Sequence, residues 1–148
     1  MTLLKIDKLP GHLARRYQQI AVAVFHAEAE AIGFDLTPVQ YAALSAICRN
    51  PGIDQATLAG VIAYDRTTIT GVVDRLARKD LVIRKTNEED RRARRLFITP
   101  AGERTLREIQ PAVEAAQDIL VSGLSDEEKK QFVHLLHKAT CAAVFLVG

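Results

Sequence analysis

Arg66, Thr67, Thr68, Thr70 and Arg75 stand close together near the middle of the chain, and Arg91, Arg92 and Arg94 form a second basic group further on. Guanidinium groups grip phosphate oxygens and base acceptors in a planar fork. Threonine hydroxyls reach either, and the threonine methyl can lie against thymine. This is the chemistry of nucleic-acid contact. Arg75, set late in its segment, suits a phosphate clamp or a partner for Asp90 better than a base reader. The parts of an enzyme are missing by comparison. Ser45, Ser122 and Ser125 have no histidine or acid placed beside them by local spacing, and there is no phosphate-binding glycine loop. The expectation is a protein that binds, without catalysis and without a cofactor.

Residues 55–99 supply the elements that would position these groups. They read as helix, turn, helix, strand, charged loop and strand. Ile69, Val72, Val73 and Leu76 have the spacing of one buried helical face, leaving Arg66, Thr67, Thr70, Asp74, Arg75 and Arg78 on the other. Leu81-Val82-Ile83 and Leu96-Phe97-Ile98 are short strand-like runs on either side of an arginine-rich loop. A helix for the major groove followed by a basic hairpin for the adjacent minor groove is a winged helix-turn-helix.

Charge distribution agrees. The net charge is only +2. Between Arg75 and Arg107, however, eleven basic residues face five acidic ones, so that stretch carries +6 and the remainder −4. A strongly basic segment in a near-neutral protein is a footprint of phosphate contact. At 148 residues the chain predicts a single domain, and its 48% hydrophobic content can fill a core. No apolar run approaches the roughly 18 residues of a membrane span. The first residues lack an apolar segment followed by a cleavage site, so a cytoplasmic location without membrane contact is expected.

Taken in order, residues 1–10 read as a loose arm closed by Pro10-Gly11. A long helix then runs from His12 to about Ala31, with Leu13, Tyr17, Ile20, Val24 and Phe25 on one face and Gly33 as its stop. Thr37-Pro38 opens the next helix with an N-cap and a first-turn proline, and its apolar stripe is Tyr41, Leu44, Ile47 and Cys48. Asp54 caps a short helix with Leu58, Ala59 and Ile62 inward. Ala59 and Gly60 suit a close helix crossing, and Asp65 caps the recognition helix. Thr99-Pro100 repeats the opening device for a fifth helix, in which Pro111 predicts a kink or break. Ser125 with Glu128 is a capping box for the last helix, whose final residues, 141–148, are apolar on every side.

The first, fifth and sixth helices exceed what a winged helix needs. They predict a homodimer, which doubles the contacts on a palindromic DNA site. The expected architecture is therefore mainly α with a small β-wing. Residues 1–148 form one domain, 11–33 and 100–148 serve dimerisation, and 36–99 form the DNA-binding winged helix-turn-helix.

The order of elements and three motifs resemble the MarR (multiple antibiotic resistance regulator) family of bacterial transcription factors. The residues concerned are Leu36-Thr37-Pro38-Val39-Gln40-Tyr41-Ala42-Ala43-Leu44, then Val73-Asp74-Arg75-Leu76 with Lys79-Asp80-Leu81-Val82, and most specifically Asp90-Arg91-Arg92 leading through Leu96-Phe97-Ile98-Thr99 to Pro100-Ala101-Gly102. The resemblance implies a triangular dimer, usually a repressor released from double-stranded DNA by a small aromatic or anionic effector. It places Arg92 at the minor-groove arginine and Asp90 at the acid that holds the wing by an ion pair. Gly71 departs from the family, where an arginine or another polar residue is common. Glycine there either lets the backbone or Thr67 approach a base or packs against a neighbouring helix.

The family's ligand site lies where the first, second and fifth helices meet the winged region. Arg15, Arg16 and Tyr17, with Tyr41, His12 and Tyr64, are accordingly candidates for an aromatic carboxylate, an arginine pair gripping the carboxylate. Each tyrosine could equally be packed with its hydroxyl satisfied. His134-x-x-His137 has one-face spacing, but no acidic or cysteine cluster accompanies it in sequence, so no metal site is expected. Cys48 and Cys141 sit in apolar surroundings and read as core fillers. The alternatives are a winged helix used for protein contact, or a regulator sensing metal or oxidant instead of an organic ligand.

Overall fold

The computed structural model describes residues 1–62, 66–86, 88–89 and 94–147, with the side chains of Arg66 and of residues 143–147 outside that description. A single 3-10 turn, Ile6–Lys8, precedes helix α1, Pro10–Ala31. The helix therefore starts at Pro10 instead of after Gly11, because a first-turn proline has the right φ and needs no amide partner. At its far end Gly33 has φ +82. Its N–H bonds to the Glu30 carbonyl and that of Phe34 to Ala29, both at 2.9 Å, a complete Schellman motif.

Helix α2 spans Pro38–Arg49 and begins with a full capping box. The Gln40 N–H donates to the Thr37 hydroxyl at 3.2 Å, and the Thr37 N–H donates to the Gln40 amide oxygen at 3.3 Å. Strand β1, Ile53–Asp54, was not expected. It is only two residues long, and Asp54 also caps helix α3, Gln55–Val61, by accepting from the Thr57 N–H at 2.7 Å. Helix α4, Arg66–Arg78, is the recognition helix; Tyr64 and Asp65 lie outside the described residues. Strands β2, Val82–Thr86, and β3, Arg94–Ile98, form the wing stem in an antiparallel sheet of order β1-β3-β2. Helix α5 covers Pro100–Leu120 and α6 covers Asp126–Val147. The expected break at Pro111 does not occur. Pro111 is exposed, so the carbonyl it leaves unpaired can turn towards water while the helix continues.

The core gathers Phe25, Leu36, Leu44, Ile47, Leu58, Ile69, Val73, Leu76, Leu96 and Ile109. It joins α2, α3, α4 and β3 to α1 and α5. Several anticipated core residues are less buried: Tyr41 and Cys48 are intermediate, and Cys141 is exposed. Gly60 is no close crossing, since a Cβ there would meet nothing within 4 Å. Gly102 is one. A Cβ would run into the Leu81 carbonyl and come within 2.6 Å of Ile98 Cγ1, so α5 can lie across the start of β2 only with glycine at this position.

The opposite condition holds along α1 and α6. Leu13 is 45% exposed, Ile20 48% and Leu135 59%. A cleft of about 670 Å³ opens between α1, α5 and α6, bordered by Leu13, Tyr17, Leu120, Phe132 and Leu136.

Candidate nucleic-acid interface

Helix α4 buries Ile69, Val72, Val73 and Leu76. The 3.6-residue period then turns Thr67, Thr68, Thr70, Arg75 and Arg78 outwards, and all five are exposed. Gly71 lies in the middle of this ridge, one turn from Thr67 and one from Arg75. A Cβ there would touch nothing within 4 Å, so helix packing does not account for the glycine. It leaves a notch on the outer face.

Asp74 does not belong with the outward-facing groups. It accepts a hydrogen bond from the Arg84 Nη2 on β2. Arg84 Nε donates to the Gln55 amide oxygen at 3.1 Å, and Gln55 Nε2 reaches the Thr70 hydroxyl at 3.5 Å. This chain of polar groups joins the start of α3, the middle of α4 and the wing stem. The Arg84 hydrogen bond holds the Asp74 carboxyl below its usual range, and the charges of Arg84, Arg78 and Arg94 add to the effect against partial desolvation. Sequence reasoning missed Arg84 and Gln55. Strand alternation was the available signal: Arg84 shares a face with buried Val82, and an arginine on an inward face requires a partner.

The end of α4 is fixed at two further points. Lys79 donates to the Asp35 backbone carbonyl, with its carboxylate 3.9 Å away, tying α4 to the α1–α2 connection. Asp80 is the one described non-glycine residue at positive φ, +59. It ends the helix in a second Schellman motif, in which the Leu81 N–H bonds to the Leu76 carbonyl and the Asp80 N–H to Ala77, both at 3.0 Å. The Asp80 carbonyl accepts from the Thr99 hydroxyl at 2.7 Å, and that same oxygen of Thr99 caps α5 through the Gly102 N–H at 3.0 Å.

In the wing stem, Lys85 stands opposite Arg95 and Thr86 opposite Arg94, all exposed. Like charges facing each other across a ladder are destabilising unless an anion lies between or beside them. Lys85 also sits 5.0 Å from the centre of the Phe97 ring. Asp90, Arg91 and Arg92, together with the Arg66 side chain, lie outside the described residues.

The candidate ligand residues fall into different places. Tyr17 donates to the Leu120 carbonyl at 2.7 Å and packs edge-on against Phe132 at 5.2 Å, and burial raises its pKa. It borders the α1/α5/α6 cleft with Arg16. Tyr41 instead leans on Phe25 and borders a second cleft of about 320 Å³ between α2 and α5, with Ser45, Cys48, Arg49, Arg107 and Gln110. His12 is half-buried and Arg15 exposed on α1. Sequence reasoning missed Arg49 and Arg107, which come together only when α2 packs on α5. Among the described residues, no group of three or more His, Cys, Asp or Glu is placed to hold a metal ion. No described helix is long and apolar enough to cross a membrane.

A recognition helix with an exposed polar ridge, braced to a basic β-wing, defines a DNA-binding winged helix-turn-helix protein. The MarR family model matches residues 34–93, the segment from the approach to α2 through the recognition helix and β2, ending just before β3. The repressor NicR of Pseudomonas putida is 30% identical over 128 residues, covering 86% of this chain and 80% of NicR. The structure of PcaV from Streptomyces coelicolor, solved with its natural ligand, matches with a TM-score of 0.87 at 31% identity, over 97% of this chain and 99% of PcaV. Bordetella bronchiseptica BpsR, whose DNA binding is regulated by 6-hydroxynicotinic acid, matches with a TM-score of 0.85 at 27% identity, over 94% of this chain and 98% of BpsR. The chain belongs to the MarR family; it is a DNA-binding transcription regulator and not an enzyme.

Proposed function

We propose that the protein is a homodimeric repressor that binds a palindromic operator and is released by a small aromatic acid. The observation carrying the DNA reading is the wing stem, where exposed Lys85 and Arg95 face one another beside the polar ridge of α4. Arg95 has Asp54 of β1 on its other side, but that carboxylate is engaged with Thr57 in capping α3, and backbone phosphates supply the further counter-charge the pair calls for. In this reading Arg66, Thr67, Thr68 and Thr70 meet the major groove and Arg75 a phosphate. Arg91, Arg92 and Arg94 enter or flank the minor groove, and Asp90 holds the wing. An arginine in a narrow minor groove reads shape and potential more than base identity. The apolar surfaces of α1, α5 and α6 supply the dimer interface.

The effector reading rests on the α2/α5 cleft. Its size falls at the lower end of small-ligand sites, roughly 300–1,000 Å³. Tyr41 offers a ring, and Arg49 and Arg107 offer cations for a carboxylate. PcaV and BpsR support the ligand class, and NicR supports repression. Ligand between α2 and α5 favours wing spacings that no longer match successive grooves. A full switch from 1:99 to 99:1 needs about 5.5 kcal/mol of differential affinity, so a weak acid releases the operator only in part.

Fluorescence anisotropy on the duplex upstream of the protein's own gene tests both parts. DNA contact predicts that log K falls with log salt by about 0.9 for each phosphate neutralised. A flat salt dependence would favour a protein-binding winged helix. Among a panel of aromatic carboxylates, at least one should weaken binding. Arg107→Ala should abolish that response while leaving ligand-free DNA affinity intact; an unchanged response would move the effector elsewhere.

A further inference from the structure

The outer ridge of α4 carries polar side chains, and Gly71 interrupts it. Thr67 and Arg75 stand one turn before and one turn after the glycine, both exposed. Ile69, Val72 and Val73 are buried on the other side of the helix, which holds Gly71 outwards. A Cβ at Gly71 would meet nothing within 4 Å, so neither Thr67 nor Arg75 folds over the gap. The backbone does not call for glycine here either. Gly33 and Gly52 sit at positive φ, whereas Gly71 lies within regular helix. Glycine weakens a helix interior, and nothing inside the chain requires it at this position.

The floor of the notch decides what can enter it. In the helical ladder the Gly71 N–H donates to the Thr67 carbonyl, and the Gly71 carbonyl accepts from the Arg75 N–H. The floor is therefore a Cα with no spare donor or acceptor. Thr67 brings a methyl to one wall and Arg75 a hydrocarbon stem to the other. A polar base edge pressed into this space would lose its water and gain no hydrogen bond. Of the groups that base pairs present in the major groove, only the thymine C5 methyl is apolar. We propose that the Gly71 notch receives a thymine methyl, so that Gly71 sets base identity at one position of the DNA site that each α4 reads. The proposal rests on the reading of α4 as the major-groove helix.

The test exchanges one methyl for another. The probe is the tightest duplex that the full-length protein selects from a random-sequence pool, made with thymine and again with deoxyuridine, which pairs identically and lacks only the methyl. Fluorescence anisotropy should show the wild type binding the deoxyuridine duplex more weakly, by about fourfold for each methyl that leaves a notch. Deoxyuridine at single positions should trace that loss to one thymine per recognition helix. Gly71→Ala should bind the thymine duplex at least tenfold more weakly than wild type and should prefer the deoxyuridine duplex, because its own methyl takes the vacated space. Circular dichroism checks that the variant remains folded. A wild type indifferent to the exchange, with Gly71→Ala still weakened, would overturn the methyl contact and leave α4 on the DNA. An equal thymine preference in both proteins would overturn it too, by placing the methyl contacts elsewhere. Unchanged affinity of Gly71→Ala on both duplexes would remove this face of α4 from the DNA and the methyl contact with it.

Discussion

Asp74 and Gly71 are neighbours on the recognition helix with opposite tasks, one bracing the wing and the other leaving space. Asp74 has its folded pKa lowered below the ordinary 3.8 by Arg84. A depressed carboxylate stabilises the fold above the unfolded value and loses that contribution as pH falls through the folded one. Asp54, lowered by its hydrogen bonds to Thr57, and Glu128, lowered by those to Ser125, act in the same direction. Thermal melts should therefore show wild type more stable than Asp74→Asn at neutral pH, with the two curves converging in acid. A gap that is constant with pH would mean that the carboxylate charge is irrelevant. Gly71→Ala should stabilise the free protein by about 1 kcal/mol, since alanine is the better helix former. The added methyl has open space in the free protein but fills the notch that DNA would approach. Operator affinity should fall at least tenfold while the melting temperature rises. Unchanged affinity would remove Gly71 from the interface.

Caps set the boundaries of most elements, and this is the scale at which local sequence is most informative. Thr37, Asp54, Thr99 and Ser125 each cap the helix expected of them through a short-range hydrogen bond. Asp80 is a different case. A left-handed residue with a Cβ is strained, and an acid at a helix C-terminus opposes the dipole. Asp80→Gly keeps the carbonyl that receives the Thr99 hydroxyl and should raise stability by about 1 kcal/mol. Gly102→Ala should have the reverse effect, a loss of about 2–3 kcal/mol, because the methyl would overpack against backbone that cannot yield. Chemical denaturation reads both variants, and a neutral Gly102→Ala would show that α5 can shift away from β2.

For the whole molecule, the prediction concerns assembly. Leu135 is 59% exposed in the single chain, so Leu135→Glu should leave the fold intact. If α6 lies in the dimer interface, this buried charge should shift sedimentation towards monomer and weaken operator binding together. A variant that stays dimeric with normal affinity would place the interface elsewhere. Within the single chain, Lys79 ties the end of α4 to Asp35 in the connection between α1 and α2.

The sequence by itself determined the helices, their caps, the buried face of α4 and the basic character of the wing. Each depends on residues within a few positions of one another, through helical period, capping geometry or local charge. Tertiary structure alone decided the partners of charges distant in sequence. Arg84 reaches Asp74 and Gln55 only after α3, α4 and β2 have packed, and Arg49 and Arg107 come to border one cleft only after α2 has packed on α5. Strand β1 likewise has no signal within its two residues; it exists because Ile53 and Asp54 lie against Leu96 and Arg95 of β3.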